Sequence, residues 1–240
     1  EPLKETLMLE SGQKTSKCYS YTFYQRDSVL TADYKAGASQ ETITQHAKAY
    51  GNGNISYQIF KNYPTGKVTT TDRLGTTNIL CEETNERPEW QLHPDTMTIL
   101  SYACHKATCR FKGRDYTAWY TMDVPVSEGP WKLHGLPGLI IKAEDSRGHF
   151  AFTCTGLEQS REAKPILIHT KGREKLNRKE LDKMYENLVQ EIKTAENNIL
   201  FFTGKSKQAN KLVDDMRKKI DTLKSQLADL ENKINQMDAE

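Results

Sequence analysis

The sequence predicts an α+β fold, a curved antiparallel sheet followed by a helical hairpin. Three observations carry this. Short β-type runs punctuated by Gly, Pro and Asn fill residues 1–170, which hold all five Cys, all three Trp, all eight Pro and all six His. Apolar residues recur at alternating spacings of three and four through residues 181–237. The composition changes sharply at Lys171-Gly172-Arg173, beyond which the chain is charge-dense and has no Pro. These place a sheet domain at residues 1–170 and a charged helical hairpin at 171–240.

In order along the chain, residues 18–24 alternate β-formers and read as a strand. Residues 39–50 are polar, lack Pro and read as a short helix with Ser39 as its cap. Residues 55–60, 67–71, 76–81 and 96–104 are further β-type runs. Two hairpins follow. Residues 107–111 and 116–121 flank the turn Lys112-Gly113-Arg114-Asp115, and residues 139–143 and 149–154 flank a connection containing Gly148. A last strand is expected at 165–170. Short antiparallel strands at this spacing suggest an open half-barrel like that of lipoprotein carriers, a likeness of fold that says nothing about function.

Beyond the boundary, Leu181, Tyr185, Leu188, Ile192, Ala195 and Ile199 mark one helix, with Asn177 as cap and Glu180 completing a capping box. Val213, Met216, Ile220, Leu223, Leu227, Leu230, Ile234 and Met237 mark a second, with apolar a and d positions over four heptads. A stripe this narrow needs a partner helix. The short connection through Thr203-Gly204-Lys205 favours an antiparallel hairpin, with helix-mediated oligomers as the rival.

Thirty-four basic against thirty-two acidic residues leave a net charge of +2, which gives no reason to propose nucleic acid or an anionic membrane as partner. No apolar run reaches the about 18 residues of a transmembrane helix. Five cysteines, Cys18, Cys81, Cys104, Cys109 and Cys154, are too few for a disulfide scaffold, and their odd number leaves at least one outside any intrachain pair. Cys104 and Cys109, five apart on a strand, face opposite sides and should not bond each other. A disulfide involving Cys104 or Cys154 and buried free thiols are the alternatives.

No phosphate loop, dinucleotide fingerprint or hydrolase elbow is present, and Cys104-His105, His93 and His134 lack the paired spacing of a metal site. No cofactor, metal or catalytic residue is therefore expected. Glu82-Glu83 and Asp214-Asp215 read as solvated surface. The most unusual segment is Ser127-Glu128-Gly129-Pro130-Trp131-Lys132-Leu133-His134-Gly135-Leu136-Pro137-Gly138-Leu139, stiff at each Pro and permissive at each Gly. In one reading Trp131, Gly135, Leu136, Pro137, Gly138 and Leu139 rim a groove for an apolar or peptide-like ligand. In the other they form a rigid bend whose side chains fill the core. Arg114 is a candidate carboxylate receptor and Trp119 a ligand platform; the alternatives are a turn arginine paired with Asp115 or Glu128, or simply solvated, and a core aromatic.

Gly135-Leu136-Pro137-Gly138-Leu139-Ile140 spells the motif of the GLPGLI family, which the chain resembles. Phe111-Lys112-Gly113-Arg114, Ala118-Trp119-Tyr120-Thr121, Val124-Pro125-Val126, Gly129-Pro130-Trp131-Lys132 and Trp90 extend the resemblance, strongest from 104 to 145, over about residues 5–170. It implies an extracytoplasmic protein of Gram-negative bacteria, made with a signal peptide, and carries no established activity or catalytic residue. The family's opening strand is missing, so the chain reads as truncated at its N-terminus. The tail is longer and more regular than the family suggests. The resulting expectation is a non-enzymatic periplasmic or outer-membrane-associated binding protein, its partner an envelope protein or an apolar ligand. A hydrolase using a cysteine or carboxylate is the alternative.

Overall fold

The computed structural model describes residues 4–50, 55–74, 77–160, 165–203 and 207–238. The chain is α+β, but its strands divide between two sheets, neither closed into a barrel, where one curved sheet was expected. The first sheet begins with β1 (Leu7–Ser11), β2 (Ser16–Ser20), β3 (Gln58–Lys61), β4 (Lys67–Leu74) and β5 (Thr77–Thr84), all antiparallel neighbours in that order. The second contains β6 (Gln91–Ile99), β7 (Tyr102–Phe111), β8 (Arg114–Thr121), β9 (Leu139–Asp145) and β10 (Ala151–Thr153), again antiparallel and in sequence order. The last strand, β11 (Glu174–Leu176), returns to the first sheet and pairs parallel with β5.

Three local readings change. The β-rich run at 18–24 is cut at Ser20, whose Oγ accepts the Phe23 N–H at 3.0 Å and caps α1 (Tyr21–Ala36). A good cap decides here over the β-propensity of Tyr-Thr-Phe-Tyr. The run at 96–104 is two strands, because Leu100 and Ser101 both take positive φ (49° and 69°) and close a two-residue hairpin. With no Gly or Asn there, the sequence gives no warning. Residues 165–170 form no strand; β11 lies beyond them. The helix expected at 39–50 is present as α2 (Gln40–Tyr50), and the Ser39 Oγ accepts the Thr42 N–H at 3.1 Å.

Strand register assigns the faces. Cys18, Ile59, Lys61, Val68 and Glu83 share one face of the first sheet, which continues through Cys81 and Ile79. The second sheet covers the first part of this face. There Cys18, Ile59 and Val68 join Ala107, Cys109, Phe111, Tyr116, Ala118 and Tyr120 in one core. Ile79, Cys81 and Leu176 instead meet the helices α3 (Arg178–Phe202) and α4 (Lys207–Asp238), through Leu181 and Leu230. Arg173 ties the linker down, its Nη1 donating to the carbonyls of Asp72 at 3.2 Å and Ile79 at 3.4 Å. The capping box of Asn177 and Glu180 then starts α3.

Candidate functional site

The bend between β8 and β9 is built as a brace between the sheets. Ile140 N–H donates to the Glu128 carbonyl at 2.9 Å, and a short bridge pairs Glu128 with His134. Between them Pro130 to Leu133 make a tight turn, closed by Leu133 N–H on the Pro130 carbonyl at 3.1 Å. Its first corner is Trp131 at φ 52°, a conformation that a bulky side chain adopts only where packing over-determines it. The indole is buried, edge-on to Phe111 at 6.1 Å and 6.4 Å from Tyr116.

Polar groups of other elements hold this bend. Lys61, from the first sheet, is 0% exposed; its ammonium donates to the carbonyls of Gly129 (2.8 Å) and Leu133 (3.0 Å) and meets Glu128 at 2.7 Å. Lys132 reaches back to Glu83 on β5 at 2.7 Å. Arg87 donates to the Gly135 carbonyl, Trp90 Nε1 to that of His134 at 2.8 Å, and Ser127 Oγ to that of Leu136 at 2.7 Å. Burial lowers the affinity of His134 for a proton, leaving a neutral imidazole whose Nδ1 meets the Lys132 carbonyl at 2.9 Å.

The sequence candidates of the bend therefore sit together, but inward. Trp131 and Leu136 are in the inter-sheet core, and Leu139 packs with Cys104 and Ile141 on the far side of the second sheet. Gly135 and Gly138 are buried, and Pro137 alone of the six is exposed. Gly135 has φ 96°, and a Cβ there would meet the Arg87 side chain at 2.8 Å. Lys61, Arg87 and Glu128 went unnoticed as partners of the bend. A lysine closing the run Gln58-Ile59-Phe60 reads as a solvated strand end, and only the second sheet makes it internal.

Arg114 lies apart from the bend. Its Nη1 donates to Asp145 Oδ2 at 2.9 Å, and its guanidinium lies 4.7 Å from the centre of the Phe150 ring. The carboxylate it receives is internal, and it is neither Asp115, which meets Arg110, nor Glu128, which meets Lys61. Burial alone would raise the Asp145 carboxyl, but donation from the Phe150 N–H, Arg114 and the His149 N–H outweighs this and holds it below the usual carboxylate range. Trp119 is half-buried on the outer face of the second sheet, paired across strands with Lys106 and Lys142.

All five cysteines are free, so no disulfide joins Cys104 or Cys154. Cys104 and Cys109 do belong to clusters on opposite faces. Burial pushes the Cys81 thiol up to about 11 and Cys109 up to about 12, and raises Cys18 and Cys104. That is the reverse of what activates a nucleophile. His105 lies against Tyr120, on the face opposite Cys104. Glu82 and Glu83 are committed separately, to Lys175 at 2.6 Å and Lys132. Among the described residues no cluster of three His, Cys, Asp or Glu is placed to hold a metal.

The model of a family described as "Protein of unknown function (Porph_ging)" matches residues 110–142, from the end of β7 through the bend into β9. No curated protein matches. Two of the solved structures that are similar to the chain are of PNGF-II. "Structure of PNGF-II in C2 space group" is 14% identical, with a TM-score of 0.48, over 73% of this chain and 28% of that one. "Structure of PNGF-II in P21 space group" is 12% identical, with a TM-score of 0.47, over 74% and 29%. The chain thus spans less than a third of the length of either structure.

The arm of α3 and α4 presents a different kind of surface. Val213, Ile220, Leu223 and Leu230 are buried, and Met216 and Leu227 half-buried, along the stripe that the heptads marked. The cover comes from α3, which runs antiparallel: Lys219 meets Glu191 at 2.7 Å, Lys224 meets Glu196 at 2.8 Å, and Tyr185 Oη donates to Glu231 at 2.8 Å. Ile234 lies on α4 beyond the side chains described, and Gly204 and Lys205 of the connection lie outside the described residues. At the end of the arm away from the sheets, Leu200 is 81% exposed, Phe201 62% and Leu212 43%. The sequence carried a signal for this patch, because Leu200 and Phe201 follow Ile199 directly and fall off the spacing of three and four.

Proposed function

We propose that this chain is a non-enzymatic interaction protein of the Gram-negative cell envelope, periplasmic or held at the outer membrane, of the GLPGLI kind that its bend resembles. The observation that carries this reading is the arm. Two helices seal their own stripe, are anchored at one end to β5 and β11 through Leu181, Leu230, Ile79 and Leu176, and carry exposed apolar side chains at the other. Exposed apolar patches of this kind mark contact surfaces. The bend serves as the brace that keeps the arm's platform rigid.

The hydrolase alternative draws no support from Cys81, Cys109, Glu82 or Glu83. The Cys81 and Cys109 thiols are raised by burial, and Glu82 and Glu83 are each neutralised by a lysine. The test is co-sedimentation of the full chain with isolated envelope membranes of a Gram-negative bacterium. The chain is expected in the pellet, and the double variant Leu200→Glu, Leu212→Glu in the supernatant. Equal partition of the two proteins would overturn the reading.

A further inference from the structure

We infer that the loop between β9 and β10, residues 146–150, is a latch worked by one proton on His149. The latch is independent of the reading above. Arg114 Nη1 donates to two acceptors, Asp145 Oδ2 at 2.9 Å and His149 Nδ1 at 3.1 Å. A guanidinium only donates, and it keeps its charge throughout the range in which histidine titrates. His149 Nδ1 is therefore the acceptor, and the closed loop requires a neutral imidazole with its proton on Nε2. His149 is exposed, so protons from solvent reach the ring.

Protonation sets a donor against a donor and a second cation beside the first. The carboxylates of the two hairpins are already engaged. Asp145, its side chain 0% exposed, accepts from Arg114 and from the Phe150 N–H at 2.8 Å. Asp115 meets Arg110 at 3.4 Å, and Glu144 meets Lys142 at 3.2 Å. Arg147 adds a further cation on the loop itself. The Asp145 carboxyl lies below the usual carboxylate range, so it stays ionised while His149 titrates. Acid therefore drives the imidazole off Arg114. The loop is left on its own backbone bonds, Gly148 N–H to the Asp145 carbonyl at 3.0 Å and Ser146 N–H to that of Asp115 at 2.8 Å. The guanidinium and the Phe150 ring stacked on it open together, and the contact returns as pH rises. The pair of Asp33 and His46, joining α1 to α2 at 2.7 Å, responds in the opposite sense, because a carboxylate favours the protonated ring.

The test is NMR of the full chain at about pH 8 and about pH 5, which bracket the titration of histidine. At the higher pH the ring nitrogens of His149 should report an unprotonated Nδ1. Exchange of the Gly148 and Phe150 amides, corrected for the intrinsic effect of pH, should be about tenfold faster at the lower pH, as expected for losing one hydrogen bond to a charged group. His149→Asn, whose Oδ1 accepts from Arg114 at either pH, should exchange slowly at both. His149→Lys should exchange fast at both. A proton on Nδ1 at the higher pH, or exchange that does not change with pH in the parent chain, would overturn the latch. So would the same pH dependence in His149→Asn. Equal loosening of α1 and α2 in acid would also overturn it, since that is unfolding of the whole chain rather than release of one loop.

Discussion

Gly138 shows how one residue fixes the bend. A Cβ at this position would lie 2.0 Å from the Thr121 carbonyl oxygen and 2.6 Å from its carbon, both backbone atoms that cannot swing aside. Gly138→Ala should therefore destabilise the protein by more than about 3 kcal/mol, above the ordinary range for overpacking. Gly148→Ala, with φ 69° but no atom within 4 Å of its Cβ, should cost only about 1–2 kcal/mol. Urea denaturation of the two variants checks the difference, and equal midpoints would refute the steric account. The motif was legible at this scale, but its direction was not. Alternating Gly and Pro announced a tight bend; whether Trp131 and Leu136 faced solvent or core depended on Phe111, Tyr116 and Ile59, which are distant in sequence.

Among the elements, α3 and α4 were the most legible, because an apolar stripe at helical spacing and a capping box are local signals. The structure adds that the stripe is spent within the chain. Leu223 is buried against α3, so Leu223→Lys should unfold the arm rather than dissolve a dimer. Leu230 is 0% exposed at the anchored end and Leu200 is 81% exposed at the other. Leu230→Ala is expected to cost about 2–5 kcal/mol and Leu200→Ala less than about 0.5 kcal/mol. Thermal melts followed at the helix signal will show this; a comparable loss for both would mean that the tip is packed. Helix α1 was illegible. None of its residues is buried, so it has no apolar stripe to read, and its tyrosines resemble a strand.

For the whole molecule, the main coupling is the buried charge between the sheets. Lys61 sits on the first sheet, its carbonyl partners on the bend of the second, and Glu128 beside them with its side chain 17% exposed. Removing one partner leaves the others desolvated, so Lys61→Ala should cost about 3–5 kcal/mol. The loss should appear in the Trp131 environment as well as in the sheet signal. Native-state hydrogen exchange resolves this: β3 and the bend should lose protection together. Loss at β3 alone would mean that the clamp does not couple the sheets. Net charge misleads at the same scale. A balance of +2 over the chain hides a sequence stretch, residues 197–213, with three lysines and no acid.

The sequence by itself determined the α+β class, the β7–β8 and β9–β10 hairpins, the cap of α2 and the two long helices. Each follows from contacts within a few turns or one hairpin, where propensity, capping and periodicity act directly. Tertiary structure decided that the strands split into two sheets, that β11 returns to pair with β5, and that the bend turns inward. It also decided that Arg114 meets Asp145, and that one end of the arm is anchored while the other stays exposed. These outcomes depend on which apolar faces find each other across long stretches of chain. Lys61 is the clearest case: a solvated lysine by its neighbours in sequence, it is buried only because a second sheet closes over it.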